Sequence, residues 1–300
     1  MSSSKKAVLF ARPLASLVLP LLDTLKRNNY TTVLVVFAPG PNGMLDPTDI
    51  PTMGSAVSGV IDAAIDPPPV LCVTKMSQVE SIFLTLDPDI AVSFGFMYRI
   101  TKKLLAHRSN FINFHPAKLP IMRGCTPFPW PILHPELPLI ATWHYMVEEV
   151  DRGDVIKEFE MELPAGKTRE TLTGAEMEDL AQTTGVVLLD DVLDLVGKGY
   201  KGRAQEPGDD ETLPGSRPLT DDERTIKDDM DVEEVMRLGR ALEGSPSRPL
   251  FRFDNNLYYV TRLTRLSEDV APIGSAQKRV GTSVIQQFKG GCVNMAIRKV

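Results

Sequence analysis

Short apolar runs alternate with amphipathic segments through the first 115 residues of the chain. The runs are continuous, as in strands that are buried on both faces, and the segments between them carry apolar residues at helical spacing. The runs are residues 7–10, 31–37, 70–73, 90–94 and 111–114, and the helical segments are residues 16–27, 56–64 and 77–86. This alternation predicts an α/β fold with a mainly parallel sheet covered by helices, in which ligands bind beyond the carboxyl ends of the strands.

A second pattern follows residues 203–222, which are rich in proline, glycine and acidic side chains and have the composition of an exposed linker. It consists of one amphipathic helix, residues 231–242, and then of short strands. The strands are predicted at residues 250–253, 257–264, 282–288 and 292–297. Their spacing fits a small antiparallel β-barrel of the OB type. We therefore predict a first domain at 1–204, a linker at 205–222 and a C-terminal helix plus OB-like domain at 223–300.

Charge and cysteine content narrow the function classes. The net charge is -6, so no overall positive field draws the chain to nucleic acid or to a membrane, although the segment from Arg248 onward is basic. Three cysteines without a CxxC pair indicate neither a disulfide framework nor a zinc site, and they favour a reducing compartment. A cytoplasmic location is expected, with an organellar presequence as the alternative, because prolines interrupt the apolar start of the chain.

Asn113 and His115 stand at the end of the fifth apolar run. Two side chains that are two residues apart on an extended segment lie on the same face. Asp151 lies in a turn after one further predicted strand, residues 139–147. A carboxamide donor, a proton-carrying imidazole and a carboxylate that balances its charge form a set suited to acyl transfer. His144, on the intervening strand, is interpreted equally well as a site residue or as a packed core residue.

Four motifs of the chain together resemble the formyltransferases that use 10-formyltetrahydrofolate. The motifs are Gly95-Phe96-Met97, Asn113-Phe114-His115-Pro116 with its continuation to Pro120, Arg123-Gly124, and Val150-Asp151-Arg152-Gly153-Asp154. The whole chain resembles the two-domain members, such as the methionyl-tRNA formyltransferases, including residues 218–242 and 281–300. The resemblance implies a Rossmann-like formyltransferase domain followed by an OB-like domain.

The resemblance also implies a role for each site residue. Asn113 would hydrogen-bond the formyl oxygen, His115 would stabilise the tetrahedral species and relay a proton, and Asp151 would orient His115 and help to deprotonate the amine. The co-substrate would be 10-formyltetrahydrofolate, and no metal would be needed. The positions implied to contact the folate are Gly95, Phe96, Met97, Tyr98, Val147, Glu148 and Val150.

The acceptor amine is open between two classes. Residues 39–53 contain no Lys or Arg, whereas the corresponding loop of the tRNA enzymes is basic, and residues 142–146 look more like formyltransferases of amino acids, hydroxylated ornithine or amino sugars. These features favour a small-molecule acceptor. The basic C-terminal segment favours methionyl-tRNA instead, because basic OB barrels bind nucleic acid. A 10-formyltetrahydrofolate hydrolase and a non-catalytic nucleic-acid-binding protein are the remaining alternatives.

Overall fold

The computed structural model of the protein describes residues 4–38, 49–63, 66–107, 109–206, 217–267 and 277–300. Most of the loop predicted at 39–53 and most of the linker predicted at 205–222 lie outside these ranges. The chain divides into two compact units, the first made of Met1–Cys125, Leu139–Met161 and Ala181–Gly215, and the second of Thr126–Pro138, Glu162–Leu180 and Ser216–Val300. The domain limits given above stay predictions.

The first unit contains a seven-stranded sheet. Its strands are β1 (Lys5–Ala11), β2 (Tyr30–Phe37), β3 (Val70–Cys72), β4 (Ile90–Phe94), β5 (Asn110–His115), β6 (Ile140–Tyr145) and β7 (Val155–Glu160). The helices between and after them in the chain are α1 (Ala15–Arg27), α2 (Asp49–Ala63), α3 (Ser77–Leu86), α4 (Lys102–Leu105), α5 (Trp130–Leu133), α6 (Gly174–Val187) and α7 (Leu189–Gly197). Of these, α5 and the part of α6 up to Leu180 belong to the second unit. Residues 49–53, which we predicted as loop, therefore belong to α2.

The strand order is β3-β2-β1-β4-β5-β6-β7. Strands β1 to β5 pair with one another in parallel, whereas β6 pairs antiparallel with both β5 and β7. The order reverses between β1 and β4, and open α/β sheets bind ligands at such a reversal. The mainly parallel, Rossmann-like α/β sheet predicted from the sequence is thus confirmed.

Aromatic packing holds β5 and β6 in place. The Phe94 and Phe114 rings stack with centroids 4.6 Å apart, and Trp143 packs on both of them. The Trp143 indole nitrogen donates to the carbonyl oxygen of Gly185 in α6 at 3.2 Å. A Cβ on Gly185 would lie only 2.6 Å from the Phe114 ring, so only glycine allows α6 to approach this closely. The strands that carry the polar candidates are therefore fixed by a tightly packed core.

The second unit contains a six-stranded sheet and helix α8 (Val232–Ala241). Its strands are β8 (Thr225–Ile226), β9 (Leu250–Phe253), β10 (Asn256–Arg265), β11 (Gln277–Val280), β12 (Ser283–Phe288) and β13 (Gly291–Lys299). Asp231 begins α8 through a reciprocal capping box with Glu234. The apolar face of α8, with Val235 and Leu238, packs into one core with Phe251 and Met295.

Two predictions about the later part of the chain need correction. The strands of the second unit form an open sheet in the order β11-β12-β13-β10-β9-β8, with no closing pair among the described residues, so an OB-like barrel is not confirmed. The apolar spacing of residues 168–196 also predicts a single helix from the sequence, and this prediction is wrong. The helix begins later, at Gly174, where Thr173 and Glu176 cap each other, and Leu188 separates α6 from α7. Within the described ranges, no helix has the length and apolarity to cross a membrane.

Candidate active site

The antiparallel pairing of β5 with β6 brings four polar side chains to one face of the sheet. Asn113 lies directly opposite His144, and His115 lies directly opposite Thr142. Directly opposite residues of an antiparallel pair have their side chains on the same face, a few ångströms apart. The carboxamide and the imidazole predicted to converge from β5 are therefore joined by a second imidazole from β6.

His115 is buried, with 3% of its surface exposed. Its Nε2 donates to the carbonyl oxygen of Met122 at 2.6 Å, so the neutral ring carries its lone pair on Nδ1. That nitrogen lies 3.6 Å from Oδ2 of Asp151. Burial lowers the pKa of His115 below its ordinary value, against the opposing effects of Asp151 and the Met122 carbonyl, so the ring is neutral at pH 7. His115 is consequently a base with its free lone pair beside a carboxylate.

Asp151 stands in the left-handed conformation, with φ of 56°. Its Oδ2 accepts the backbone N–H of Gly124 at 2.9 Å, and its Oδ1 lies 3.5 Å from Nε2 of His144. Burial works to raise the pKa of Asp151, but the neighbouring imidazoles of His115 and His144 and the Gly124 N–H outweigh it and hold the pKa at about 2. The carboxylate is therefore ionised at neutral pH and ready to stabilise a proton on His115.

His144 connects Asn113 to Asp151. Its Nδ1 donates to the carbonyl oxygen of Tyr145 at 2.7 Å, which leaves Nε2 as an acceptor in the neutral ring. Nε2 accepts one amide hydrogen of Asn113 at 3.1 Å. This bond fixes which end of the Asn113 carboxamide faces His144, and it leaves the second amide hydrogen free to be donated elsewhere.

The turn that carries Asp151 is held by close contacts. Gly153 packs against β6, and a Cβ built on it would lie 1.8 Å from the carbonyl oxygen of Tyr145. Gln205 donates to the carbonyl oxygens of Asp151 and Gly153, and Arg123 donates to the carbonyl oxygen of Asp151. No other residue type fits the space at position 153 without movement of the backbone.

The structure brings Asn113, His115 and Asp151 into one cluster, but it adds partners that the sequence did not assign. His144 would have been identified from the sequence if the antiparallel register of β6 on β5 had been known. No sequence pattern identified Gln205 as a site residue, because it lies 54 residues from Asp151, in a stretch with the composition of a linker. Within the described part of the chain, no group of three or more His, Cys, Asp or Glu side chains is arranged to hold a metal ion.

The segment after β4 was implied to contact the folate. Gly95 adopts a left-handed conformation, with φ of 63°, directly after β4. Phe96 and Tyr98 turn inward. The Phe96 ring packs edge-on against the rings of Phe10 and Tyr98, with ring centroids 5.3 and 5.8 Å apart. Met97 is 42% exposed. In this segment Met97 is therefore exposed to solvent, whereas Phe96 and Tyr98 pack against other aromatic rings.

The segment after β6 contains the other implied contacts. Val147 and Val150 are exposed, at 42% and 43%, and Glu148 forms an exposed ion pair with Lys102 of α4 at 2.9 Å. The two implied segments are therefore linked through α4. Exposed apolar side chains beside a buried polar cluster are typical of a ligand-binding surface.

The cluster contains the groups that acyl transfer without a covalent bond to the protein would need. Asn113 supplies a hydrogen-bond donor, His115 supplies a base, and Asp151 supplies the negative charge that balances the protonated base. Cys125 is an exposed free cysteine, and acyl transfer to an amine requires no covalent intermediate on a thiol. The arrangement suits attack by a nucleophile that loses a proton as an oxyanion forms.

Comparisons with known proteins agree with this chemistry. Residues 55–184 match the family model described as formyl transferase. The methionyl-tRNA formyltransferase of Bacillus cytotoxicus is 30% identical over 187 residues, which cover 60% of this chain and 55% of that protein. The chain thus spans about half the length of the curated relatives it matches.

Solved structures share the fold at low sequence identity. HypX from Aquifex aeolicus in complex with tetrahydrofolic acid superposes with a TM-score of 0.66 at 15% identity, over 99% of this chain and 44% of HypX. WlaRD, a sugar 3N-formyl transferase, superposes with a TM-score of 0.62 at 13% identity, over 98% of both chains. At such identities the likeness describes the fold, and the polar cluster carries the argument about chemistry.

Proposed function

We propose that the chain, whose residues 55–184 match the formyl transferase family model, is an N-formyltransferase that moves the formyl group of 10-formyltetrahydrofolate to a primary or hydroxylated amine. The observation that carries the proposal is the buried set of contacts from Asn113 through His144 to Asp151 and His115. These contacts support the proposal, because they join a hydrogen-bond donor and a base on one face of the sheet.

The steps follow from the hydrogen bonds of the residues. Asn113 donates its second amide hydrogen to the formyl oxygen, which becomes negative as the amine nitrogen bonds to the formyl carbon. His115 accepts at Nδ1 the proton that the amine loses, and Asp151 stabilises the imidazolium. His115 then returns the proton to the departing folate nitrogen as the carbon–nitrogen bond breaks. The products are a formamide and tetrahydrofolate, and the proton lost by the amine ends on the folate nitrogen.

The exposed apolar side chains of segments 95–98 and 147–150 support a folate site. The folate supplies the activated formyl group, and its ring system is flat and largely apolar at its faces. Met97, Val147 and Val150 expose apolar side chains of matching character. We propose that the segments 95–98 and 147–150 hold the pterin, as the resemblance implies.

For the acceptor we favour a small molecule, such as an amino sugar or a hydroxylated amino acid. The support comes from the absence of basic residues at 39–53 and from the likeness to a sugar formyltransferase over nearly the whole of both chains. A tRNA acceptor stem would require cations against its phosphates. The loop after β2 offers none.

Methionyl-tRNA is the second candidate, and one observation favours it. In the second unit, Arg224 and Arg298 each lie over the ring of Tyr259, with 5.9 Å to the ring centroid. An aromatic ring flanked by guanidinium groups on a sheet is suited to stacking and phosphate contacts. The 30% identical relatives also carry the name methionyl-tRNA formyltransferase.

The test is to measure tetrahydrofolate release from 10-formyltetrahydrofolate with methionyl-tRNA, with a panel of amino sugars and hydroxylated amino acids, and with no acceptor. We expect turnover with a small amine. Asn113→Leu should lower kcat about 100- to 1,000-fold, since that is the typical cost of an oxyanion donor. His134→Gln, at an exposed histidine outside the cluster, should match the unmodified protein.

Each alternative has its own result. Turnover with methionyl-tRNA alone would select the second candidate, and release without an acceptor would indicate a hydrolase. If no acceptor supported turnover and Asn113→Leu changed nothing, the formyltransferase proposal would be wrong.

A further inference from the structure

The side-chain amide of Gln205 is hydrogen-bonded at both ends, to the turn that carries Asp151 and to Arg123. Its Nε2 donates to the carbonyl oxygen of Asp151 at 2.8 Å and to that of Gly153 at 2.7 Å. Its Oε1 accepts from Arg123, at 3.1 Å from Nε and 2.6 Å from Nη2. Two donor and two acceptor positions are thus filled, which is the full capacity of a glutamine amide.

The partners determine the orientation of this amide. Two carbonyl oxygens on one side demand a donor, and a guanidinium on the other side demands an acceptor. If the amide were reversed, Oε1 would face two carbonyl oxygens and the NH₂ group would face the guanidinium of Arg123. Glutamate would satisfy Arg123 but would place a carboxylate against the carbonyl oxygens. Only an amide of this length satisfies both sides.

The backbone conformation of Asp151 explains why hydrogen bonds from Gln205 matter at this turn. Asp151 has φ of 56°, a conformation that non-glycine residues adopt only at some energetic cost, so its backbone needs external support. Its carbonyl oxygen receives two donors, Gln205 and the Nε of Arg123 at 3.2 Å. The same residue must direct its carboxylate oxygens to His115 and to the N–H of Gly124.

We propose that Gln205 is a positioning residue that sets the reach of the Asp151 carboxylate to His115, a role that rests on the proposed function for its effect on turnover. Gln205 touches no reacting atom. It acts through the backbone of residues 151–153, with Arg123 as the group that orients its amide. The family model ends at residue 184, so Gln205 lies outside the matched segment.

The test compares Gln205→Met, which keeps the length of the side chain and removes the amide, with a matched control. The control is Gln287→Met in the second unit, where the glutamine amide also donates to two carbonyl oxygens of a turn, those of Phe288 and Gly291. Both substitutions remove an amide that donates to two carbonyl oxygens, although the Gln287 amide oxygen accepts from the Cys292 thiol and not from an arginine. Only the first one removes a donor from Asp151.

The first readout is the pKa of His115, measured by NMR titration of the four histidines. Asp151 raises this pKa, so a displaced carboxylate should let it fall, and Gln287→Met should leave it unchanged. The second readout is steady-state kinetics. Gln205→Met should lower kcat about 10- to 100-fold, as expected for a misplaced catalytic group, with the folate KM within roughly threefold of its original value.

A second variant serves if Gln205→Met does not fold. Gln205→Glu keeps the contact with Arg123 and removes both donors, so kcat should fall by at least as much as in the methionine variant. If Gln205 substitutions lower Tm as Gln287→Met does but leave the His115 pKa and kcat unchanged, the positioning role is wrong. A shift of the His115 pKa in a protein with no formyl transfer at all would support the positioning role and overturn the proposed function alone.

Discussion

Asn113 Nδ2 donates to Nε2 of His144 at 3.1 Å, and the backbone carbonyl of Tyr145 fixes the tautomer that makes this possible. The proposed oxyanion donor is thus oriented by a neighbour on the adjacent strand. We expect His144→Leu to let the Asn113 amide rotate and to lower kcat about 10- to 100-fold, somewhat less than loss of the donor itself.

The matched variant is His144→Gln, whose amide oxygen can accept the Asn113 hydrogen. It should retain more activity than His144→Leu, with Tm measured on both proteins because position 144 is buried. Equal activity of the two variants would contradict the orienting role.

Asp151 should contribute to stability in a defined acidic window. Its pKa is lowered from 3.8 to about 2 on folding, so the folded protein keeps the carboxylate charged where the unfolded chain protonates it. The contribution is present above pH 3.8 and is lost as the pH falls through about 2. A shift of this size corresponds to about 2 kcal/mol, since one pKa unit is about 1.4 kcal/mol.

The measurement is urea unfolding of the original protein and of Asp151→Asn between pH 5 and pH 2. The difference in unfolding free energy should shrink towards low pH by about 2 kcal/mol. A difference that is constant across this range would show that the folded-state pKa of Asp151 is not lowered.

His115 should produce a separate loss of stability at milder acidity. Its folded pKa lies below 6.5, so the unfolded chain binds a proton that the folded protein does not. Unfolding free energy therefore falls as the pH drops below 6.5, until the folded pKa is reached. His115→Gln should remove this slope, whereas His134→Gln should retain it. The check is the urea midpoint measured from pH 7.5 to pH 4.5, and an unchanged slope in His115→Gln would refute the assignment.

Gly153 should tolerate no side chain. An added Cβ would lie 1.8 Å from the Tyr145 carbonyl oxygen, so β6 or the Asp151 turn must move. We expect Gly153→Ala to lower the unfolding free energy by about 1–3 kcal/mol, as overpacking does, and to reduce turnover through Asp151. Gly197→Ala, at the end of α7 with nothing within 4 Å, is the control and should change neither. Equal thermal melts for the two variants would contradict the close approach.

Sequence reasoning reached the parallel half of the sheet and the pair on β5 for physical reasons. Continuous apolar runs mark strands buried on both faces, and the two-residue spacing of Asn113 and His115 fixes a common face. Asp151 could be assigned because a turn that follows a strand can return to the sheet, and the motif resemblance selected it. These inferences depend on local pattern alone.

The remaining features depend on long-range pairing, which local pattern does not encode. The role of His144 follows from the antiparallel register of β6 on β5, and that of Gln205 follows from a contact across 54 residues. The strand pattern of the second unit predicted its strands but not whether the sheet closes. The long apolar periodicity of residues 168–196 concealed a break, because Leu188 continues the pattern while its backbone leaves the helix.

The position of Gln205 in the sequence limits where the chain can be divided into fragments or joined to a relative's domain. The boundary that composition suggests, after residue 204, would separate the Asp151 turn from the amide that supports it. A fragment that ends there, or a chimaera that joins a relative's second domain at that point, would retain Asn113, His115 and Asp151. It would lose the Gln205 amide, which positions the Asp151 carboxylate. Recombination between relatives would therefore conserve activity only when the crossover falls beyond Gln205.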